Sequence, residues 1–169
     1  MSEKIFITLG SQKFQFNRLL IAVDKLCDKK VISGEDVFAQ TGYSDYVPRN
    51  YSYNNFLDRE EFSVEMGKAD IVITHGGTGA IIGAVKKGKK VIAVPRRAKY
   101  GEHVDDHQLQ LVGQFKELGL ICECDDVEKI GEALDIVKRS TYKDYVSNTR
   151  NIIESIEQYI KTAMMSGDK

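Results

Sequence analysis

An α/β fold, a parallel sheet with helices on both faces, is predicted by three features of the 169-residue sequence. Short β-rich apolar runs alternate with segments of helical spacing along the chain. Two of these runs, ADIVIT at 69–74 and KVIAV at 90–94, are apolar with almost no interruption, as strands covered on both sides are. Both runs end in glycine or proline and lead on to a helix-like segment, the order that right-handed crossovers between parallel strands require.

The elements follow in order. Residues 4–9 (KIFITL) read as a first strand ending at Gly10, and 17–29 as a helix with Leu20, Val23 and Leu26 on one side. Residues 36–41 read as a second strand, and the aromatic stretch 50–56, beyond Pro48, as a short third. A short helix at 60–68 precedes the strand 69–74, which empties into His75-Gly76-Gly77-Thr78-Gly79; a helix then continues over 80–87 and stops at Gly88. The strand 90–94 is closed by Pro95, and a basic loop runs to Gly101. A helix at 103–118 capped by Gly119, a last strand at 120–123, a helix at 127–137 and a long final helix at about 146–165 complete the chain. Such a Rossmann-like sheet binds ligands beyond the carboxyl ends of its strands, which singles out the loops at 10–16, 54–58, 75–79 and 95–107. With no internal repeat, low-complexity tract or Pro-, Gly- or Ser-rich linker, residues 1–169 are expected to form one domain.

Composition narrows the partners. A chain of this length buries roughly 70% of its unfolded surface, enough for one core. Lys plus Arg number 24 and Asp plus Glu 25, so the net charge of -1 offers no bulk attraction for nucleic acid. Cys27, Cys122 and Cys124 are sparse, odd in number and include a Cys-x-Cys spacing, which fits a reducing cytosol better than zinc or disulfides. No basic-then-apolar leader opens the sequence and no apolar stretch nears the ~20 residues of a bilayer span, so a soluble protein is expected.

The strongest local signal is DIVITHGGTGAII, a buried strand passing through glycines straight into a helix. Glycines let a ligand approach the backbone, and the first helical N–H groups with the positive dipole end then face it, a geometry suited to phosphate. Thr78 could add a hydroxyl and His75 a ring N–H, with Gly76, Gly77 and Gly79 supplying the turn; the plainer alternative is a tight turn and nothing more. A nicotinamide cofactor fits less well, because Gly77-x-Gly79 is followed by Gly83, one residue too far, and the next strand ends in Pro95-Arg96-Arg97 and not in an acidic residue. Ser11 and Gln12, after the first strand, could bind phosphate or sugar hydroxyls, or Ser11 or Asn17 could simply cap a helix. His103 and His107 share a helical spacing but lack the His-Glu-x-x-His pattern and a third ligand, so no metal is expected. The same segment offers His107 and Gln108 as hydrogen-bonding partners for a hexose, with Asp105 and Asp106 suited to a helix start. Arg96, Arg97 and Lys99 either meet a pyrophosphate or acceptor, or are solvated.

These motifs together resemble the carboxyl-terminal domain of glycosyltransferase family 28, the group containing MurG. Gly10-Ser11-Gln12 resembles its glycine-Ser-Gln loop, and Asn55-Phe56-Leu57 the segment whose backbone receives uracil. THGGTGAIIGAVKKGKKVIAVP is similar to its strand, glycine turn, helix and strand, and Asp106-His107-Gln108 to the run that meets the donor sugar. The likeness spans about residues 4–125. It implies one Rossmann-like half of a GT-B glycosyltransferase, a UDP-sugar as substrate with no cofactor or metal, and inverting transfer of a hexose. Short members of the family resemble the nucleotide-sugar-binding subunit of the dolichol-pathway N-acetylglucosaminyltransferase and its bacterial counterparts in capsule and exopolysaccharide synthesis, the phrase AVPRRAKYGEHVDDHQ looking nearest to the latter. The expected assembly is a heterodimer with a membrane-associated subunit that holds the lipid-linked glycan acceptor and supplies the base, which draws this cytoplasmic chain to the inner membrane face; self-association in isolation is the other assembly left open. One departure stands out: the ribose-binding Glu that the family places eight residues after His75 is Gly83 here. That departure favours the alternative of a noncatalytic accessory that enhances a partner enzyme.

Overall fold

The structure is a computed structural model that describes residues 2–144 and 149–167. Six parallel strands, β1 (Ile5–Thr8), β2 (Val37–Gln40), β3 (Ser52–Asn54), β4 (Ile71–His75), β5 (Lys90–Val94) and β6 (Cys122–Glu123), form one sheet in the order β3-β2-β1-β4-β5-β6. Helices α1 (Asn17–Asp28), α2 (Arg59–Lys68), α3 (Thr78–Lys86), α4 (His107–Glu117), α5 (Ile130–Arg139) and α6 (Thr149–Ser166) lie between and after them. The Rossmann-like parallel sheet expected from the sequence is present, and its central strands are buried along their whole length.

Alternation along those strands builds two cores. Ile5 and Ile7, Ile71 and Ile73, and Ile92 and Val94 face α1 and α5, packing with Leu19, Leu20, Val23, Leu134 and Val137. Phe6, Val72, Val91 and Ala93 face the other way, against Met66 of α2, Ile81 and Val85 of α3, and Val112 and Phe115 of α4. The final helix joins this second core through Ile156 and Ile160 and contacts α4. Two buried isoleucines contribute roughly 1.5–3 kcal/mol each. Tyr159 and Met164 of that helix are exposed, and its expected start at 146 lies outside the described residues. Among the described residues no helix is long and apolar enough to cross a membrane.

Two helices start later than expected, and one cap differs. α4 begins at His107, four residues late, because Asp105 Oδ1 accepts from the His107 amide and Asp106 Oδ1 from the Ala98 amide, holding 102–106 in a turn. α5 begins at Ile130 after a 3₁₀ turn at Val127–Lys129, which Asp126 caps through the Glu128 amide. Phe16, not Ser11 or Asn17, occupies the N-cap position of α1, while the Asn17 side chain instead holds Asp45 and the Tyr46 amide.

Candidate functional site: the crevice where strand order reverses

β1 is paired with both β2 and β4, so the chain travels outward through β2 and β3 and then returns to β1's other side. In sheets of this kind the loops on either side of such a reversal, here those after β1 and β4, part at the carboxyl edge and frame the ligand crevice. Gly10, at φ 72°, turns the first loop away, and Gly77 is the N-cap of α3. The nine-residue α3 has no side-chain cap, so its first N–H groups are left for a ligand or water.

The glycines of this turn differ in what they permit. A Cβ on Gly77 would lie 2.2 Å from His75 Cε1, one on Gly10 2.6 Å from His75 Nε2, and one on Gly76 2.8 Å from Gln108 Cβ. Gly79 and Gly83 have open space instead. The first three are therefore required by packing, whereas the last two leave room along the exposed side of α3. Position 83, where the family resemblance implies a Glu, has room for a side chain.

His75 ends β4 with 7% of its surface exposed. Burial, helped by the Arg96 guanidinium and His103, drives its imidazole down to about 3, so the ring is neutral at physiological pH. Gln108, 3% exposed, supports it: Oε1 accepts from the amides of Gly76 (3.0 Å) and Arg96 (3.1 Å), and Nε2 stands 3.4 Å from His75 Nδ1.

Arg96 departs from both expectations for it, being neither solvated nor open to a pyrophosphate. At 1% exposure, its guanidinium donates to the carbonyls of Leu9 (2.6 Å), Phe14 (3.2 Å), Gln15 (3.1 Å) and Glu102 (3.3 Å) and packs over Phe16. One buried cation thus ties the β1 loop to the loop after β5. Burial lowers its pKa to about 10, which leaves it charged at neutral pH. Sequence reasoning missed Glu102, which is fully buried, receives both Arg18 Nε (2.8 Å) and Nη2 (3.0 Å), and accepts from the Arg97 amide (2.9 Å). Its partner in α1 is 84 residues distant, and no local signal links them.

The remaining expected residues fall around the crevice. Ser11 and Gln12 are exposed on the β1 loop with no side-chain hydrogen bond to the described residues. Thr78 is half-buried and Gly79 exposed at the start of α3. Phe56 is exposed beyond β3, edge-on to Tyr43 at 5.1 Å, while the Leu57 amide is already taken by Gln40 Oε1 (3.1 Å). His107 starts α4, and its ring lies 6.0 Å from that of His103, with Asp105 Oδ1 near both. Arg97 Nε and Nη1 sit 3.5 Å from Asp106 and Asp125 respectively, and Lys99 lies over the Tyr100 ring. Among the described residues no three His, Cys, Asp or Glu side chains are grouped to hold a metal.

A family model described as the glycosyltransferase family 28 C-terminal domain matches residues 4–163. The chain belongs to that family. Curated relatives include the human "UDP-N-acetylglucosamine transferase subunit ALG13", 27% identical over 140 residues covering 78% of this chain and 12% of that protein. The Candida glabrata protein of the same name is 32% identical over 106 residues, covering 60% of this chain and 46% of its own length. The chain thus spans less than half the length of these curated relatives. They carry the name of a eukaryotic subunit, and the expectation of a bacterial capsule or exopolysaccharide subunit finds no support in those names. Among solved structures, an ALG13 solution structure superposes with TM-score 0.61 at 18% identity, covering 92% of this chain and 95% of that one. MurG of Acinetobacter baumannii superposes with TM-score 0.53 at 17% identity, covering 94% of this chain and 50% of MurG. At these identities the superpositions establish the fold, that of one half of a GT-B glycosyltransferase.

Proposed function

We propose that this family 28 domain is the donor-binding subunit of a two-component inverting glycosyltransferase, taking a UDP-sugar and delivering its hexose to a lipid-linked glycan. The observation that carries this reading is the meeting of the β1 and β4 loops, where the neutral His75 lies between Gly10 and the uncapped start of α3, and Gly10 leads into the exposed, unengaged Ser11 and Gln12. A leaving diphosphate there would be stabilised by fixed backbone donors, the helix dipole and a ring N–H. The backbone N–H and C=O of the exposed Phe56 have no partner among the described residues, which suits them to the edge of a uracil. His107, at the start of α4, is assigned to the sugar, whereas Gln108 and Arg96 are buried and serve from beneath the surface.

The printed names of the relatives make UDP-N-acetylglucosamine the first donor to test beside other UDP-hexoses, and the word subunit supports a partner. That partner would be membrane-associated, bind the acceptor and supply the base, recruiting the chain to the inner membrane face; capsule or exopolysaccharide synthesis remains one setting for this heterodimer. Gly83 favours a second reading, a noncatalytic enhancer of another glycosyltransferase, since the ribose contact that the resemblance implies has no side chain here. Calorimetry with UDP and several UDP-sugars, on the chain alone and with its partner, separates the two. Binding that Thr78→Trp abolishes supports the donor subunit; enhancement of a partner without nucleotide binding supports the accessory.

A further inference from the structure

We propose that Gln108 is a positioning residue that locks His75 in the tautomer carrying its proton on Nε2, so that a neutral N–H is aimed into the crevice between β1 and β4. The ligand assigned to that donor, a diphosphate, rests on the donor-binding reading; the tautomer does not.

The orientation of the Gln108 amide is dictated by its surroundings. Oε1 accepts from two backbone N–H groups, those of Gly76 and Arg96. Turning the amide over would press its NH₂ against both donors, with all three groups buried. The NH₂ end is therefore the one facing His75 Nδ1, at 3.4 Å. An amide NH₂ donates and cannot accept, so Nδ1 must be the bare nitrogen, and a neutral imidazole then holds its proton on Nε2.

The other edge of the ring is placed to use that proton. Nε2 lies beside Gly10 and Cε1 beside Gly77, since a Cβ on either glycine would overlap them at 2.6 and 2.2 Å. The ring edge thus lies between Gly10 of the β1 loop and Gly77 at the start of α3, where only glycine leaves it room. No described group accepts from Nε2. The opposite tautomer would turn a lone pair toward a phosphate oxygen, repelling it. Gln108 acts through His75 and the turn, and needs no contact of its own with ligand.

Long-range ¹⁵N–¹H correlation spectra of the uniformly labelled chain test this directly. There are three histidines, and His75→Gln assigns the ring of interest. The wild type at neutral pH is expected to show Nε2 protonated and Nδ1 bare. In Gln108→Glu one carboxylate oxygen can keep the two backbone amides while the other accepts from the ring, so Nδ1 should gain a proton and UDP affinity should fall roughly ten- to hundredfold. Gln108→Met, which lacks both roles, should leave a mixture of tautomers and serves if the Glu variant does not fold. A wild-type ring protonated on Nδ1, or a ring unchanged in both variants, overturns the proposal even if UDP binding is lost. A converted tautomer with unchanged UDP affinity overturns the link from His75 to the diphosphate. Wild-type protein that never binds UDP, alone or with its partner, sinks the donor-binding reading and leaves the tautomer result standing.

Discussion

Gly77→Ala should damage both stability and ligand binding although the backbone there suits any residue. At φ -79° and ψ 131° alanine is unstrained, so the whole effect comes from the methyl group. It would sit 2.2 Å from His75 Cε1 and 2.9 Å from both ring nitrogens, and the ring is hemmed in at Nδ1 by Gln108 and at Nε2 by Gly10. Forcing a methyl into such a packed position costs about 1–3 kcal/mol, and for a protein of this size each kcal/mol moves Tm by roughly 2–4 °C. The expected fall is therefore roughly 2–12 °C, accompanied by loss of UDP binding as His75 is displaced. Gly79→Ala and Gly83→Ala are the internal controls, because their methyl groups meet open space and should stabilise α3 by up to about 1 kcal/mol. Melting curves followed by circular dichroism, paired with calorimetry, compare the three. A Gly77→Ala protein with wild-type Tm and wild-type UDP affinity would refute the packing argument for this turn.

Three other outcomes are expected. His75 titrates near 3 when folded against 6.5 when free, so stability is complete above about pH 6.5 and falls by up to about 1.4 kcal/mol per unit as pH drops from there; urea unfolding from pH 7 to 4 should show this slope in the wild type and lose it in His75→Gln. Arg96→Met should destabilise by at least about 3 kcal/mol in urea unfolding, since four carbonyls lose a charged donor, and it should raise hydrogen exchange selectively in the loop 10–16. Gly83→Glu should fold normally and, if the ribose contact implied by the family resemblance is regained, tighten UDP by up to about tenfold in calorimetry.

The parts of this molecule that were legible in the sequence are those fixed by short-range pattern. KVIAV is β5 with the expected bounds, and the other strands lie within their expected runs or overrun them by one residue, because parallel strands buried on both faces need uninterrupted apolar side chains. The start of α4 was not legible, because Asp105 and Asp106 bond to nearby amides and compete with the helix their spacing suggests. Burial of charge was the least legible of all. Arg96 reads as a residue for a ligand or solvent and Glu102 carries no local signal, and only their partners across 82–87 residues of chain, the Leu9 and Phe14 carbonyls and Arg18, make their burial tolerable. The glycine turn was visible as a motif, but the division between Gly76 and Gly77, required by packing, and Gly79 and Gly83, which are free, needed three dimensions.

A crystal soaked with UDP, alone or with the partner subunit present, tests the central claim most directly. The diphosphate should be found against the amides of Thr78 and Gly79 within reach of His75 Nε2. Density lodged instead at the opposite, amino edge of the sheet, where Lys4, Asp36, Phe38 and Lys68 line a concavity of about 530 Å³, would contradict it.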